Sequence, residues 1–261
     1  MAPVHRIAKQ ANATGWLFVV LVVLLFEVAV RLFDLQDSVA APSAMFGALA
    51  EGLWSGALSG EIATTLQSYA EGLAAAIVVG IALGLAIGSS RTLHDALSVV
   101  IEFLRPIPAV ALIPLAILVF GLGIPMRRFV IAYAAVWPIL INTLYGVHGS
   151  DRLLHDVART SGATRLGTLV RVTLPAALPS IATGIRVSAA AALQVGVTAE
   201  FLIGTDGIGA YMQSQQLAFN IPELYAAIVL VGMLGYAIHV ALRIAERRVV
   251  FWVGEERLEA R

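Results

Sequence analysis

Six runs of mostly apolar residues, each close to the roughly 20 that a helix needs to cross a bilayer, decide what this chain can fold into. They cover about residues 16–33, 66–88, 99–120, 129–147, 180–203 and 224–245. Hydrocarbon supplies no water to backbone N–H and C=O groups, so each run must satisfy its own as a helix, and an open sheet edge is excluded. Composition agrees, with 59% hydrophobic and 13% charged residues, where soluble domains carry about a quarter charged. The fold class expected is an all-α integral membrane protein with about six transmembrane helices.

His5, Arg6 and Lys9 precede the first run in the manner of a secretory signal. That run reaches Val30, however, and carries Glu27. The small-residue site Val39-Ala40-Ala41 follows only after a polar stretch, so the run is expected to stay as a first membrane helix. Orientation follows from the basic residues, which concentrate in cytoplasmic loops. With the N-terminus inside, twelve fall on the inner side and three, Arg31, Arg127 and Arg128, on the outer. Both termini are expected to be cytoplasmic, and Arg127-Arg128 is the dissonant pair.

The longest polar interruption, residues 151–179, carries Arg152, Arg159, Arg165 and Arg171 at about helical spacing. It reads as a cytoplasmic loop with structure of its own. A second interruption, residues 34–65, holds Asp34, Asp37, Glu51 and Glu61 and no Lys or Arg. Within it Pro42-Ser43, then Met45, Phe46, Leu49, Leu53 and Trp54, have the spacing of an amphipathic helix. It is expected to lie along the outer membrane face or to be an exposed loop helix.

Ala76, Gly80, Gly84 and Gly88 put a small residue at every fourth position of the second run, which lets another helix approach closely. An intrachain contact is expected. Pro106, Pro108 and Pro114 in the third run and Pro138 in the fourth each remove a backbone hydrogen bond and kink a helix.

Ionisable groups at membrane depth need partners or water. Glu27 stands one turn before Arg31, a spacing for an ion pair. Arg186, and Glu102 with Arg105, lie near span ends and can snorkel to headgroups. In the fifth run Gln194 and Thr198 share a face, whereas no continuous stripe joins them to Glu200. Two readings stand: Gln194 and Thr198 line a translocation path with Glu200 near its outer gate, or all three hydrogen-bond to neighbouring helices. Asn142, Tyr145 and His148 are weaker path candidates.

Catalytic signatures are missing from the sequence. A phosphate-binding loop needs Gly-Lys before Ser or Thr, and the single lysine, Lys9, lies between Ala8 and Gln10. The five histidines have no metal-ligand spacing and there is no cysteine, so no catalytic or metal residues are assigned. Energy for active transport must come from a partner or an ion gradient.

Asp156-Val157-Ala158, Arg159, Gly162 and Ala163, followed by Leu174-Pro175, resemble the EAA motif of ATP-binding-cassette (ABC) importer permeases. That motif reads Glu-Ala-Ala, three residues, Gly, then a downstream Leu-Pro; Asp and Val here are mild departures. Residues 104–123 (LRPIPAVALIPLAILVFGLG), 138–147 (PILINTLYGV) and 199–212 (AEFLIGTDGIGAYM) are similar to the nitrate, sulfonate, taurine and bicarbonate permease subfamily. Ser68, where a basic residue is expected, and Val119, where Trp is common, depart from it. The resemblance implies a type I ABC importer (MetI-like) permease fold. Residues 1–261 would then form a single transmembrane permease domain, with a first helix over about 16–33, a core over about 60–248 and a coupling loop over about 150–175. It further implies that two permease copies pair with two ATPase subunits, which bind ATP and Mg, and with an extracytoplasmic substrate-binding protein. No cofactor is expected in this chain, and the motif residues would form the ATPase-coupling segment. The solute would be a small anion, with a thiamine-precursor or riboflavin-like solute as the alternative. A non-transport scaffold and a gradient-driven transporter are the rival classes. The latter predicts inverted halves with broken helices in matching positions, which prolines in spans 3 and 4 alone do not supply.

Overall fold

A computed structural model of the chain describes residues 3–35 and 38–251, and every regular element in it is helical. Helix α1 (Pro3–Leu32) leaves its apolar side chains from Trp16 to Phe26 exposed, as a helix against lipid should. Its last turns are pinned to α2 (Pro42–Trp54). The expected pair forms, with Arg31 Nε donating to Glu27 Oε1 at 2.7 Å. Glu27 also accepts the Ser43 N–H at 2.9 Å and the Ser43 hydroxyl at 2.8 Å, so the carboxylate fills an orphan donor in the first turn of α2. The α2 helix does not merely lie along the membrane face. Met45 and Leu49 are buried, Leu49 in a cluster with Ala226, Ala227 and Leu230, while Phe46, Leu53 and Trp54 point outward.

After Gly56 turns the chain at φ +80°, α3 (Ala57–Gly88) runs the full height of the molecule. The small-residue stripe meets α6 (Ile124–His148) as an intrachain contact. A Cβ on Gly72 would stand 2.6 Å from Ile131, on Gly80 2.9 Å from Ile139, on Gly84 2.5 Å from Thr143 and on Gly88 2.9 Å from Val147. Both series climb together, so α3 and α6 run parallel and the chain must recross between them. The recrossing is made by α4 (Arg91–Leu104), a 3₁₀ turn (Ala109–Leu112) and α5 (Ile113–Phe120). These are bent by 86° at the break, which contains Pro106 and Pro108. The third run is therefore not one helix over 99–120. Five continuous helices are long and apolar enough to span, and the bent pair makes a sixth crossing.

Replacing Gly84 by Ala should destabilise the bundle by about 1–3 kcal/mol, because Thr143 is β-branched and its Cβ cannot rotate away. Gly60→Ala, with nothing within 4 Å, is the control and should be neutral or slightly stabilising. Unfolding midpoints of the two variants in detergent check this; equal midpoints would show that the contact is loose.

The remaining elements are α7 (Arg152–Thr160), α8 (Arg165–Thr168), a π-helical turn (Leu169–Thr173), α9 (Leu174–Ile203), α10 (Ile208–Leu217) and α11 (Ile221–Val249). Helix α9 packs antiparallel on α6. A Cβ on Gly146 would meet Ala177 at 2.9 Å and one on Gly184 would meet the Pro138 carbonyl at 2.9 Å, and Ser188 donates to the Ala135 carbonyl at 2.6 Å. The main core lies where α3, α6 and α9 meet, around Leu73, Ala76, Ile131, Ala135, Ile139, Ala189 and Ala192.

Candidate functional site: a capped loop helix and a polar knot at opposite ends of the bundle

The loop between α6 and α9 is built as a short helix with a hard stop. Asp151 Oδ1 accepts the Leu153 N–H at 2.9 Å, capping α7 at its first turn. At the other end Gly162 adopts φ +78°, a conformation that favours glycine, and the Ala163 N–H reaches back to the Ala158 carbonyl at 3.0 Å. This six-to-one bond is a Schellman ending. It gives a physical reason for the glycine four residues beyond Ala158 in the motif. Thr164 then caps α8 by accepting the Gly167 N–H at 3.0 Å.

Of the residues singled out in this loop, Asp156, Val157, Gly162 and Ala163 are exposed and Ala158 is half-buried. The Arg159 side chain lies outside the described residues. Leu153, Leu154 and Val157 are at least half exposed on this small helix, although nothing about the segment places it in lipid. Leu174 and Pro175 serve differently. Leu174 packs against Val147, Ala177 and Ile181, and Pro175 has no N–H to continue the helix. The π turn directly before it takes up the break, so the loop runs into α9 through continuous helical backbone.

At the opposite end, the start of α3, the start of α6 and the end of α9 converge on Glu200. The side chain is fully buried and hydrogen-bonded to its neighbours, as the second of the two readings expects. Thr65 donates to Glu200 Oε2 at 2.8 Å, the Gly209 N–H does so at 3.2 Å, and Ser68 lies 3.5 Å from Oε1. Arg127 Nη1 stands 3.8 Å from Oε1. Arg127 also grips Asp206 with two bonds of 2.9 Å to the carboxylate and one of 2.7 Å to the carbonyl. This bond holds the Asp206 carboxyl below the usual carboxylate range, helped by the Thr205 hydroxyl and opposed by partial burial.

Helix α10 is moored to the same knot through its N-terminal amides. Gly207 N–H donates to Glu61 at 2.5 Å and Ile208 N–H to the Thr65 hydroxyl at 2.9 Å. Orphan donors at a helix start suit carboxylates, here supplied by the chain itself. The glycines of residues 204–209 make the approach possible: Gly204 and Gly207 adopt φ +69° and +95°. The knot answers both oddities of the sequence. Ser68 is not basic because Arg127 brings the cation to Glu200 from another helix. Each arginine of the Arg127-Arg128 pair has an acidic partner, Arg128 being paired with Glu71.

Of the path candidates, Gln194 and Thr198 border a cleft of about 440 Å³ between α9 and α11, with Arg186 and His239. Thr198 also donates to its own helix at the Gln194 carbonyl, 2.7 Å away. Arg186 is paired with Glu246 of α11 at 3.4 Å, so it does not need to snorkel. Asn142 is turned to the Pro138 carbonyl of its own helix at 2.8 Å and faces neither cleft. Tyr145 and His148 line a separate groove with α4.

The model of the family described as "Binding-protein-dependent transport system inner membrane component" matches residues 76–251. The taurine transport system permease of Escherichia coli is 31% identical over 166 residues, covering 64% of this chain and 60% of that protein. The riboflavin transport system permease of Chloroflexus aurantiacus is 35% identical over 162 residues, covering 62% and 60%. The nitrate import permease of Leptolyngbya laminosa is 35% identical over 158 residues, covering 60% and 57%. The match thus spans about three-fifths of the length of these curated relatives. An inward-facing structure of the MetNI methionine ABC transporter superposes with a TM-score of 0.64 at 20% identity, over 78% of this chain and 97% of that one. The type I importer permease fold expected from the motif is the fold observed, and the multi-pass chain belongs to the family of inner membrane components of binding-protein-dependent transport systems.

Proposed function

We propose that this chain is the permease subunit of an ATP-driven importer. It would form the path for a small anion, of the sulfonate, taurine, nitrate or bicarbonate kind, delivered by an extracytoplasmic binding protein. The observation that carries this reading is α7: a capped helix with exposed Leu153, Leu154 and Val157, standing in the basic loop and ended by Gly162. Apolar side chains left outside the bundle call for a protein groove, and a chain without a phosphate loop needs an outside ATPase. The relatives named for taurine and nitrate favour an anion over a riboflavin-like solute.

The bundle offers a route for the force. Helix α7 lies between α6 and α9 in the chain, two helices that pack closely on each other. A push on α7 by closing ATPase subunits moves both, through the π turn and Leu174, and reaches the Gln194–Thr198 face and the Glu200 knot. Asp156, Val157, Ala158, Arg159, Gly162 and Ala163 form the docking part of this segment; Leu174 and Pro175 form its rigid root. The loop and both termini are cytoplasmic in this reading, in the inner membrane of a bacterium. Two copies pair as a homodimer, and ATP and Mg are held by the ATPase alone.

Truncating Asp156 and Arg159 together to Ala is expected to uncouple ATP hydrolysis from solute uptake in the reconstituted complex, with the spans still inserted. Full coupled transport by that variant would count against the docking assignment.

A further inference from the structure

Helix α4 has three faces. Leu97 and Ile101 pack on Leu140, Leu144 and Ile87. Val99, Val100 and Phe103 are exposed at 70%, 46% and 72%, as toward lipid. The third face carries His94, Ser98, Glu102 and Arg105 at helical spacing and, with Tyr145 and His148 of α6, lines a groove of about 590 Å³. The depth of this face matters. The Tyr133 hydroxyl donates to the Leu104 carbonyl at 2.6 Å, and Tyr133 lies about 14 Å along α6 from its start at 1.5 Å per residue. Arg105 therefore stands at about that height along the bundle, beyond the end of α4, with its side chain exposed toward the groove. Charged groups at that depth must face water or a partner. Among the described residues Glu102, Arg105, His94 and His148 form no ion pair, and the two imidazoles meet edge to face, ring centroids 5.7 Å apart.

We propose that this groove is a water-filled binding site for a small oxyanion on the side of the permease that faces the coupling segment. Arg105 supplies the fixed cation, and His94, His148, Ser98 and Tyr145 supply hydrogen-bond donors. Glu102 is the only carboxylate among the lining residues, and it leaves the positive charge of Arg105 as a balance rather than an excess. Selection for an anion then comes from donor number, since His94, His148, Ser98, Tyr145 and Arg105 face a single carboxylate. The assignment of the solute as the occupant rests on the importer reading above; the existence of the site does not.

The chain contains no cysteine, so single cysteines report without background. Ser98→Cys and Tyr145→Cys, in the full chain in phosphatidylcholine nanodiscs, are treated with an anionic sulfonatoethyl and a cationic trimethylammonium-ethyl thiosulfonate. With each rate normalised to that of a free thiol in solution, the anionic reagent is expected to react about tenfold faster at both positions, with sodium methanesulfonate or nitrate slowing it. Adding Arg105→Gln leaves Glu102 as the one fixed charge and should lower the ratio by about tenfold or more, and Phe103→Cys on the lipid face should stay unreactive. Two inert cysteines, or a charge preference that Arg105→Gln does not change, would overturn the site. Protection by added phosphatidylglycerol but not by methanesulfonate or nitrate would overturn the solute and leave a lipid headgroup as occupant. Uptake of taurine and nitrate by the complex is measured in parallel. Absent uptake with charge-selective labelling defeats the importer reading alone, and normal uptake without selectivity defeats the groove alone.

Discussion

Replacing Arg127 with Met is expected to cost about 3–5 kcal/mol of folding stability. Met keeps most of the volume and the apolar stem, so the change isolates the guanidinium. Two carboxylates lose a cation, and they lose it unequally. The Asp206 side chain is 42% exposed and water can take over, whereas the Glu200 side chain is 0% exposed and has no such recourse. Thr65, Ser68 and the Gly209 amide can still donate to Glu200, but donors without a cation do not offset a buried charge. The cost should therefore be Glu200's, and Glu200→Gln in the Arg127→Met background should restore more than half of it. Unfolding midpoints in mixed detergent micelles for the two single variants and the double variant decide the matter. Equal midpoints for wild type and Arg127→Met would show that the knot contributes nothing, and a double variant no better than Arg127→Met would place the loss at Asp206.

Local pattern carried much of the fold and little of this knot. The apolar runs located the helices because bilayer thickness imposes one length on each. The Gly84 stripe announced a close helix pair because small residues at every fourth position have few other uses in lipid. The Glu27–Arg31 pair was readable because both partners sit on one helix. Arg127 and Asp206 are 79 residues apart, and nothing near either residue names the other, so Arg127 looked only like a charge on the wrong side. Glu200 differed again: helical spacing already separated it from Gln194 and Thr198, and the glycines at 204, 207 and 209 were the missed signal of something pressed against it. In the third run the average apolarity of residues 99–120 concealed a corner. Pro106 and Pro108 marked it, and the polar stripe from His94 to Arg105 belongs to a helix that begins earlier, at Arg91. The Asp156–Gly162 segment was legible through its motif, yet the reason for Gly162 appeared only with its positive φ.

The second large effect is expected at Gly209, where Ala should detach α10 from the end of α9. A Cβ there would stand 2.2 Å from the Val197 carbonyl oxygen, 2.6 Å from the Phe201 nitrogen and 2.7 Å from Glu200 Cβ. Two of these are main-chain atoms inside α9, which cannot rotate aside as a side-chain tip would. Overpacking in a tight core costs about 1–3 kcal/mol, occasionally more, and the upper end applies because relief requires α10 to move as a body. That movement also draws the Ile208 and Gly209 amides from Thr65 and Glu200, so the knot loosens even though every charged residue is intact. Gly232→Ala, where a Cβ meets nothing within 4 Å, is the matched control on α11. Amide hydrogen exchange supplies the specific readout: protection across residues 204–217 should fall in Gly209→Ala while α3 and α6 keep theirs. Uniform loss throughout the bundle would mean that α10 is not a separable strap, and unchanged protection would mean that α9 can yield at Val197.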